Sequence, residues 1–429
     1  MEKIDLSQLD YDEIKDISKK QMEDVFDKKQ AARPILNEIN ERGDKALIKY
    51  TKKFDGVELE SDNIKVSDKR IKNSYENLSE REIQALEQAR DNIIDYHETQ
   101  LPKKIELDEF EEGITLGSLF NPLEKIGAYV PGGKASYPSS ALMTLLPAYV
   151  AGVNEKIICT PPSKDGRIND MTLAAADIAG ADKVFRVGGV QAIGAMAYGT
   201  KTIDKVQKIV GPGNSYVTAA KMLVRGKVEI EFPAGPSELV ILADSSCDPG
   251  YVASDLLAQA EHGPDSLVIL LTTSSEVLDS VKEEIKERTN SLNRSEIIKN
   301  SLKRAKLVLG EQEELINLLN DVAPEHLELM IQNPMSILNE IKNAGAIFVG
   351  NFSPTAVGDY ATGCNHVLPT GGMAKIHSGL NVYDFMKRSS LQFLSKKGLR
   401  NLREITEIIS EIEGLEAHSN SIKERFKEE

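Results

Sequence analysis

Apolar positions in this chain recur with two periods, and the change between them falls near residue 121. Up to about residue 110 they return every three or four positions amid Lys, Glu and Asp. Ile14, Ile17, Met22, Val25 and Phe26 form one such stripe; Ile83, Leu86, Ala89, Ile93 and Ile94 form another. That spacing predicts amphipathic helices with solvated outer faces. Beyond it, β-rich runs at 125–130, 156–160, 183–187 and 208–210 alternate with helical runs at 141–151, 171–179, 192–198 and 215–224. The predicted strands end in Gly or Pro, at Pro131-Gly-Gly133, Pro161-Pro162, Gly188-Gly189 and Gly211-Pro-Gly213. This alternation predicts βαβ units on a mostly parallel sheet, with ligands expected at the carboxyl ends of the strands.

A second run of the same kind has strands at 239–243, 266–272 and 346–349 and helices near 275–290 and 311–320. Asp248-Pro249 reads as a cap followed by a first-turn proline. From about residue 380 the chain is expected to be charged and helical, with a break at Gly414 and a last helix through His418.

The 429 residues amount to about three domains' worth of chain. A net charge of -15 excludes a basic face for nucleic acid and disfavours anionic membranes. The apolar stretch 141–153 is too short to span a bilayer and contains Pro147. Met1-Glu-Lys-Ile-Asp-Leu6 lacks an apolar signal core. The three cysteines, Cys159, Cys247 and Cys364, form no CxxC. A cytoplasmic location is the expectation.

Chemistry concentrates around the six histidines. Glu261-His262 and Glu325-His326 each place a carboxylate beside an imidazole, the pairing that moves protons near neutral pH. Gln259 and His262 are three apart near a helix end, where an amide oxygen and an imidazole nitrogen can share a divalent metal. A helix-end histidine that satisfies a carbonyl fits the same spacing. Pro324 reads as a first helical residue, which would hold Glu325-His326 at a helix start and keep the imidazole neutral; a surface turn fits the tripeptide too. Asp359 and His366 fall in the glycine-bounded segment Gly358–Pro369, either a site loop or a structural turn. There is no HExxH, Walker A or GxGxxG motif.

In order along the chain stand Tyr129-Val-Pro-Gly-Gly133, Val187-Gly-Gly-Val-Gln-Ala-Ile193, Gly211-Pro-Gly-Asn214, Phe232-Pro-Ala-Gly-Pro-Ser-Glu238, Ala258-Gln-Ala-Glu-His-Gly-Pro-Asp265, Pro324-Glu-His-Leu327, Gly358-Asp-Tyr-Ala361 and Asn365-His-Val-Leu-Pro369. Together they resemble the histidinol dehydrogenase family over nearly the whole chain. The resemblance implies an α/β fold of two incomplete Rossmann-like domains, related to the aldehyde-dehydrogenase fold, with small helical extensions at both ends. Its expected division is a 1–25 extension, a domain of 26–128 with 238–379, an inserted 129–237 domain that contacts NAD, and a 380–429 dimerisation segment.

The implied reaction is the NAD-dependent, four-electron oxidation of L-histidinol to L-histidine through the aldehyde, ending histidine biosynthesis. The resemblance implies one zinc per subunit, held by Gln259, His262, Asp359 and His418. It makes His326 the base and Glu325 the residue that activates water. Ser237 and Glu413 join His326 and the zinc ligands as substrate contacts, and Tyr129, Gln191 and Asn214 are NAD contacts. A homodimer with shared sites is expected, with Glu413 and His418 crossing from the other chain. His366 and Cys364 receive no role. A relative that oxidises another small hydroxyl substrate, such as a sulfonated propanediol, would want a cation at position 413 where this chain has a glutamate. A non-catalytic zinc or nucleotide binder would have no need of the Glu325-His326 pair.

Overall fold

The structure is a computed structural model and describes residues 2–5, 11–132 and 136–427. Gly133 of the first motif, and the side chains of Ile14, Ile17 and Met22, lie outside what is described. The chain opens on strand β1 (Glu2–Asp5) and helices α1 (Tyr11–Arg42), α2 (Asp44–Asp55), α3 (Asp68–Ser74) and α4 (Glu80–Glu98). Strands β2 (Ile105–Glu111) and β3 (Ile114–Pro122) follow. Then come β4 (Lys125–Tyr129), α5 (Pro138–Ala151), β5 (Glu155–Cys159), α6 (Asp170–Ile178), β6 (Lys183–Phe185), α7 (Gly189–Tyr198), β7 (Lys208–Val210), α8 (Ser215–Val224) and β8 (Glu229–Ile230). The second alternation runs β9 (Glu238–Ala243), α9 (Pro249–Ala260), β10 (Leu267–Thr272), α10 (Ser275–Thr289), α11 (Ser295–Leu302), β11 (Lys306–Leu309), α12 (Gln312–Val322), β12 (His326–Met330), β13 (Ala346–Val349) and α13 (Thr355–Tyr360). The chain ends with β14 (Met386–Leu394), α14 (Lys396–Ile412) and α15 (Glu416–Glu424).

Packing divides the chain into two compact units, Met1–Gln100 with Leu123–Phe385, and Leu101–Pro122 with Met386–Glu429. The first unit holds two parallel sheets, ordered β6-β5-β4-β7-β8 and β1-β11-β10-β9-β12-β13. Leaving aside β1, each is wound in the same order, with its first and fourth strands adjacent at the centre. That reversal of winding direction is the topological switch of a Rossmann-like sheet. Every residue of β9, β10 and β12 is buried, because helices cover both faces of a parallel sheet. Hence β10, and β9 after Glu238, read as nearly continuous apolar runs rather than alternations, while β12 buries His326 and Glu328 between its apolar residues.

Local chemistry sets the helix starts. Ser79 and Glu82 close a reciprocal capping box on α4. Asp248 caps α9 by accepting from Gly250 N–H at 2.7 Å, with Pro249 in the first turn as expected. On α4, Leu86 and Ile93 are buried as their spacing predicts, and on α1 Val25 is buried while Phe26 is exposed.

The second unit is an antiparallel sheet, ordered β14-β3-β2, with α14 and α15. Strands β2 and β14 differ from the sequence expectation, which placed helices up to about 110 and again from 380. The physical reason is visible in β2: all seven residues, Ile-Glu-Leu-Asp-Glu-Phe-Glu, are exposed. No buried face marks the strand locally; pairing with β3 forms it. Among the described residues no helix is long and apolar enough to cross a membrane.

Candidate active site

The site is built where two neighbouring parallel strands begin. β9 and β12 pair with His326 opposite Leu239, which brings Ser237-Glu238 beside Glu325-His326. The Glu238 backbone serves both residues of the pair. Its N–H donates to Glu325 Oε2 at 2.8 Å, and its carbonyl lies 3.0 Å from His326 Nδ1. Ser237 pulls the Glu325 pKa down. Gly345 lets the next strand approach, since a Cβ there would meet the Glu325 carbonyl oxygen at 2.6 Å.

This corrects the expectation of a helix start at Pro324. Ala323 ends α12 in the left-handed region, at φ 51°, and the chain leaves it extended into β12. No helix N-terminus supports His326; sheet pairing does. The site also lies at the amino ends of β9 and β12, against the expectation of carboxyl ends for this sheet.

Because a carbonyl can only accept, the bond to Glu238 assigns the neutral-ring proton to His326 Nδ1. Nε2 is then the free base. It is buried without a hydrogen bond, 3.7 Å from Asp359 Oδ1. Burial pulls the His326 pKa down, but the carboxylates of Glu325 and Asp359 outweigh it and raise it to about 9. Burial raises Glu325 to about 7, against the lowering pull of His326.

Around this pair stand three of the expected metal ligands. Gln259, in the last turn of α9, is 1% exposed, and neither its amide oxygen nor its amide nitrogen has a partner. An orphaned buried amide is costly unless something else satisfies it, and a cation on its oxygen would. His262, just past α9, is exposed at the rim, yet the protein around it lowers its pKa. Asp359 comes from α13; burial works to raise its pKa, and His326, His366 and His262 overcome that to lower it. Among the described residues, no three His, Cys, Asp or Glu side chains gather into a group that could hold a metal by themselves. The set here is two such residues plus an amide, a mixed nitrogen and oxygen donor set that fits zinc once a fourth ligand is added. His418, in α15, and Glu413, which caps the end of α14, are exposed on the second unit.

The expected NAD contacts lie on the other parallel sheet, at the carboxyl ends of its strands as predicted. Tyr129 ends β4, and its hydroxyl accepts from Gly189 N–H at 3.2 Å. Gln191 follows β6 in the first turn of α7, fully buried, with its amide oxygen unpartnered and its nitrogen 3.4 Å from Asp55. Asn214 caps α8 through Tyr216 and Val217 N–H, both at 3.1 Å. Gly211 has φ 113°, and a Cβ on it would collide with the Tyr129 carbonyl, so only glycine lets β4 and β7 end this close together.

One residue that the sequence reading left without a role lies in the site, and one that it did not single out. His366 lies beside the cluster, its Nδ1 3.0 Å from the Asp359 carbonyl. Glu238 is a fully buried carboxyl that burial raises to about 8, with the Glu325 charge adding to the shift. A polar residue opening an apolar strand was the available signal for it.

The family model for histidinol dehydrogenase matches residues 18–426. The histidinol dehydrogenase of Methanosarcina barkeri is 49% identical over 424 residues, 97% of this chain and 98% of that protein. That of Methanocaldococcus jannaschii is 45% identical over 422 residues, 96% and 98% of the two. A solved histidinol dehydrogenase from Elizabethkingia anophelis superposes with a TM-score of 0.90 at 40% identity, covering 93% of this chain and 92% of that one.

Proposed function

The chain belongs to the histidinol dehydrogenase family, and on that premise we propose that it oxidises L-histidinol to L-histidine in two NAD-dependent steps at the Glu325-His326 site. The observation that carries the assignment is His326 itself: Nδ1 tied to a backbone carbonyl, Nε2 buried and unpartnered, and a carboxylate beside it.

In the first step His326 Nε2 accepts the alcohol proton as hydride leaves the carbinol carbon for NAD. Glu325, held by Glu238 N–H, then takes a proton from the water that adds to the aldehyde. His326 removes the hydrate's hydroxyl proton as the second hydride leaves. Each step reduces one NAD and releases one proton, which closes the four-electron balance. Two hydride transfers at one site explain the need for both a base and a water-activating carboxylate.

Gln259, His262, Asp359 and His418 would hold the zinc, one per subunit. Bound there, zinc supplies a fixed anchor for the substrate's amine and imidazole nitrogens. Committing Asp359 to a cation removes much of its pull on His326, which returns the ring toward the neutral form a base needs. Ser237 and Glu413 complete the substrate contacts, Glu413 facing the cationic end. Tyr129, Gln191 and Asn214 line the NAD site. In this reading residues 129–237 are a dinucleotide domain inserted between 26–128 and 238–379, with 1–25 and 380–429 as extensions.

His418 and Glu413 reach the site from the partner subunit of a homodimer. Ile405, Ile408, Ile409 and Ile412 support this: they form one apolar stripe on α14, and Ile412 is 80% exposed. Such a stripe calls for a covering surface.

The test is NADH formation from L-histidinol with zinc present. Two NADH per histidinol are expected, with both steps lost in His326→Ala. Glu325→Gln should impair oxidation of the aldehyde more than that of the alcohol. Equal impairment of both steps would remove the water-activating role from Glu325.

A further inference from the structure

Glu238 opens β9 with a fully buried side chain, and the proposed reaction uses only its backbone. Its Oε1 accepts from Gly371 N–H at 3.1 Å, and its Oε2 is buried without a partner. Three residues earlier, Gly235 N–H donates to the hydroxyl oxygen of Thr370. Thr370 is 1% exposed. Its carbonyl accepts from Met373 N–H at 3.1 Å, closing a turn just past the site loop Gly358–Pro369. Two hydrogen bonds thus join 235–238 to 370–371, and each segment gives one backbone N–H and one side-chain oxygen.

The joined segment has a special place in the fold. Residues 231–237 carry the chain from β8 of one parallel sheet to β9 of the other. On the side of the expected NAD site, Thr218 of α8 donates to the Ala234 carbonyl at 2.8 Å. On the side of the catalytic pair, Leu267 N–H donates to the Ser237 carbonyl at 3.0 Å. The segment delivers Ser237 itself, and the Glu238 N–H and carbonyl that hold Glu325 and His326. Burial and the Glu325 charge raise the Glu238 carboxyl to about 8. A neutral carboxyl is therefore favoured near neutral pH, and an oxygen is all that Gly371 asks of it.

We propose that the side chains of Glu238 and Thr370 clasp 235–238 to the 370–371 turn and so hold Ser237, Glu325 and His326 in place for hydride transfer. Both are positioning residues and touch neither substrate nor cofactor. The inference rests on the roles proposed for Glu325 and His326.

The two bonds can be removed one at a time. Glu238→Gln keeps the oxygen for Gly371 and should hold kcat within about threefold of wild type. Glu238→Leu removes it. Counted per zinc-loaded subunit, kcat should then fall about 10–100-fold, the range that a small misplacement of reacting groups produces. The KM for NAD and the zinc affinity, read by chelator competition, should move less than about threefold, because neither contact is made by the clasp. Alcohol and aldehyde oxidation should fall together, since the Glu238 backbone serves both His326 and Glu325. Thr370→Val, an isosteric and milder change, should lower kcat several-fold, and Thr370→Ser, which keeps the hydroxyl, should recover it. Hydrogen exchange in peptides spanning 233–238 and 368–373 should quicken in Glu238→Leu and Thr370→Val and stay slow in Glu238→Gln and Thr370→Ser.

Glu238→Gln as damaged as Glu238→Leu would overturn the proposal, because negative charge rather than an acceptor oxygen would then be required. So would an unchanged kcat in Glu238→Leu, equal loss in Thr370→Val and Thr370→Ser, or exchange that none of the variants alters. Failure of the wild type to turn over histidinol would instead fault the proposed reaction, and hydrogen exchange would still judge the clasp.

Discussion

Lys221 and Glu231 form a buried ion pair behind the expected NAD loop, and breaking it from one side tests how that loop is held. Lys221 Nζ lies 2.6 Å from Glu231 Oε1 and 3.0 Å from the Gly211 carbonyl, and Glu231 Oε1 also accepts from Gly211 N–H at 2.9 Å. Both side chains are 1% exposed, and Glu231 Oε2 has no partner. Lys221→Met therefore strands a carboxylate in the interior and frees the Gly211 carbonyl. Breaking a buried pair from one side costs about 3–5 kcal/mol. At about 2–4 °C per kcal/mol for a domain of 150–250 residues, Tm should fall on the order of 10 °C. Adding Glu231→Gln removes the stranded charge while the amide oxygen still accepts from Gly211. The double variant should recover most of the loss and keep about 1–2 kcal/mol for the unpaired carbonyl. Thermal and urea unfolding read the stability. The KM for NAD should rise in the single variant, since Gly211 leads into Asn214. A single variant within about 1 kcal/mol of wild type, or a double variant no better than the single, would refute the argument that the lone buried charge dominates.

Three further outcomes follow from the same geometry. Gly345→Ala places a methyl against the Glu325 carbonyl and should cost about 1–3 kcal/mol of stability, with a larger proportional loss in kcat than in NAD affinity, read by unfolding and steady-state kinetics. Burial holds the Asp55 carboxyl up at about 6, above its ordinary 3.8. Between those values the folded state binds more protons than the unfolded one, so this group's contribution makes stability fall as pH rises from about 4 to about 6. Asp55→Asn should remove that part of the slope, and urea midpoints across the window will show whether it does. Mixing inactive His326→Ala and His418→Ala proteins under conditions of subunit exchange should restore part of the activity; no recovery would place His418 in its own subunit's site.

The strand-helix alternation of the first unit was legible because it depends on local rules. Lys125–Tyr129, Lys208–Val210 and Ala346–Val349 were placed from apolar runs bounded by glycine and proline, and Asp248-Pro249 from cap chemistry. β12 was misread for a local reason as well. Proline fits the first turn of a helix and the entry to a strand equally well, and Pro324 carries no sign of the β9 edge that decides between them. β14 pairs with β3 across most of the chain's length, and no residue within either strand announces the other.

The amino-acid order determined the alternation of elements, the segments that carry chemistry, and through its ordered motifs the family. Tertiary structure decided what those segments do to one another. It chose the His326 tautomer by placing the Glu238 carbonyl 3.0 Å from Nδ1, and it left the Gln259 amide unsatisfied. Helical period, strand alternation and caps act over a few residues. A protonation state depends on the groups packed around a side chain, and here those groups come from strands and helices far apart in the chain.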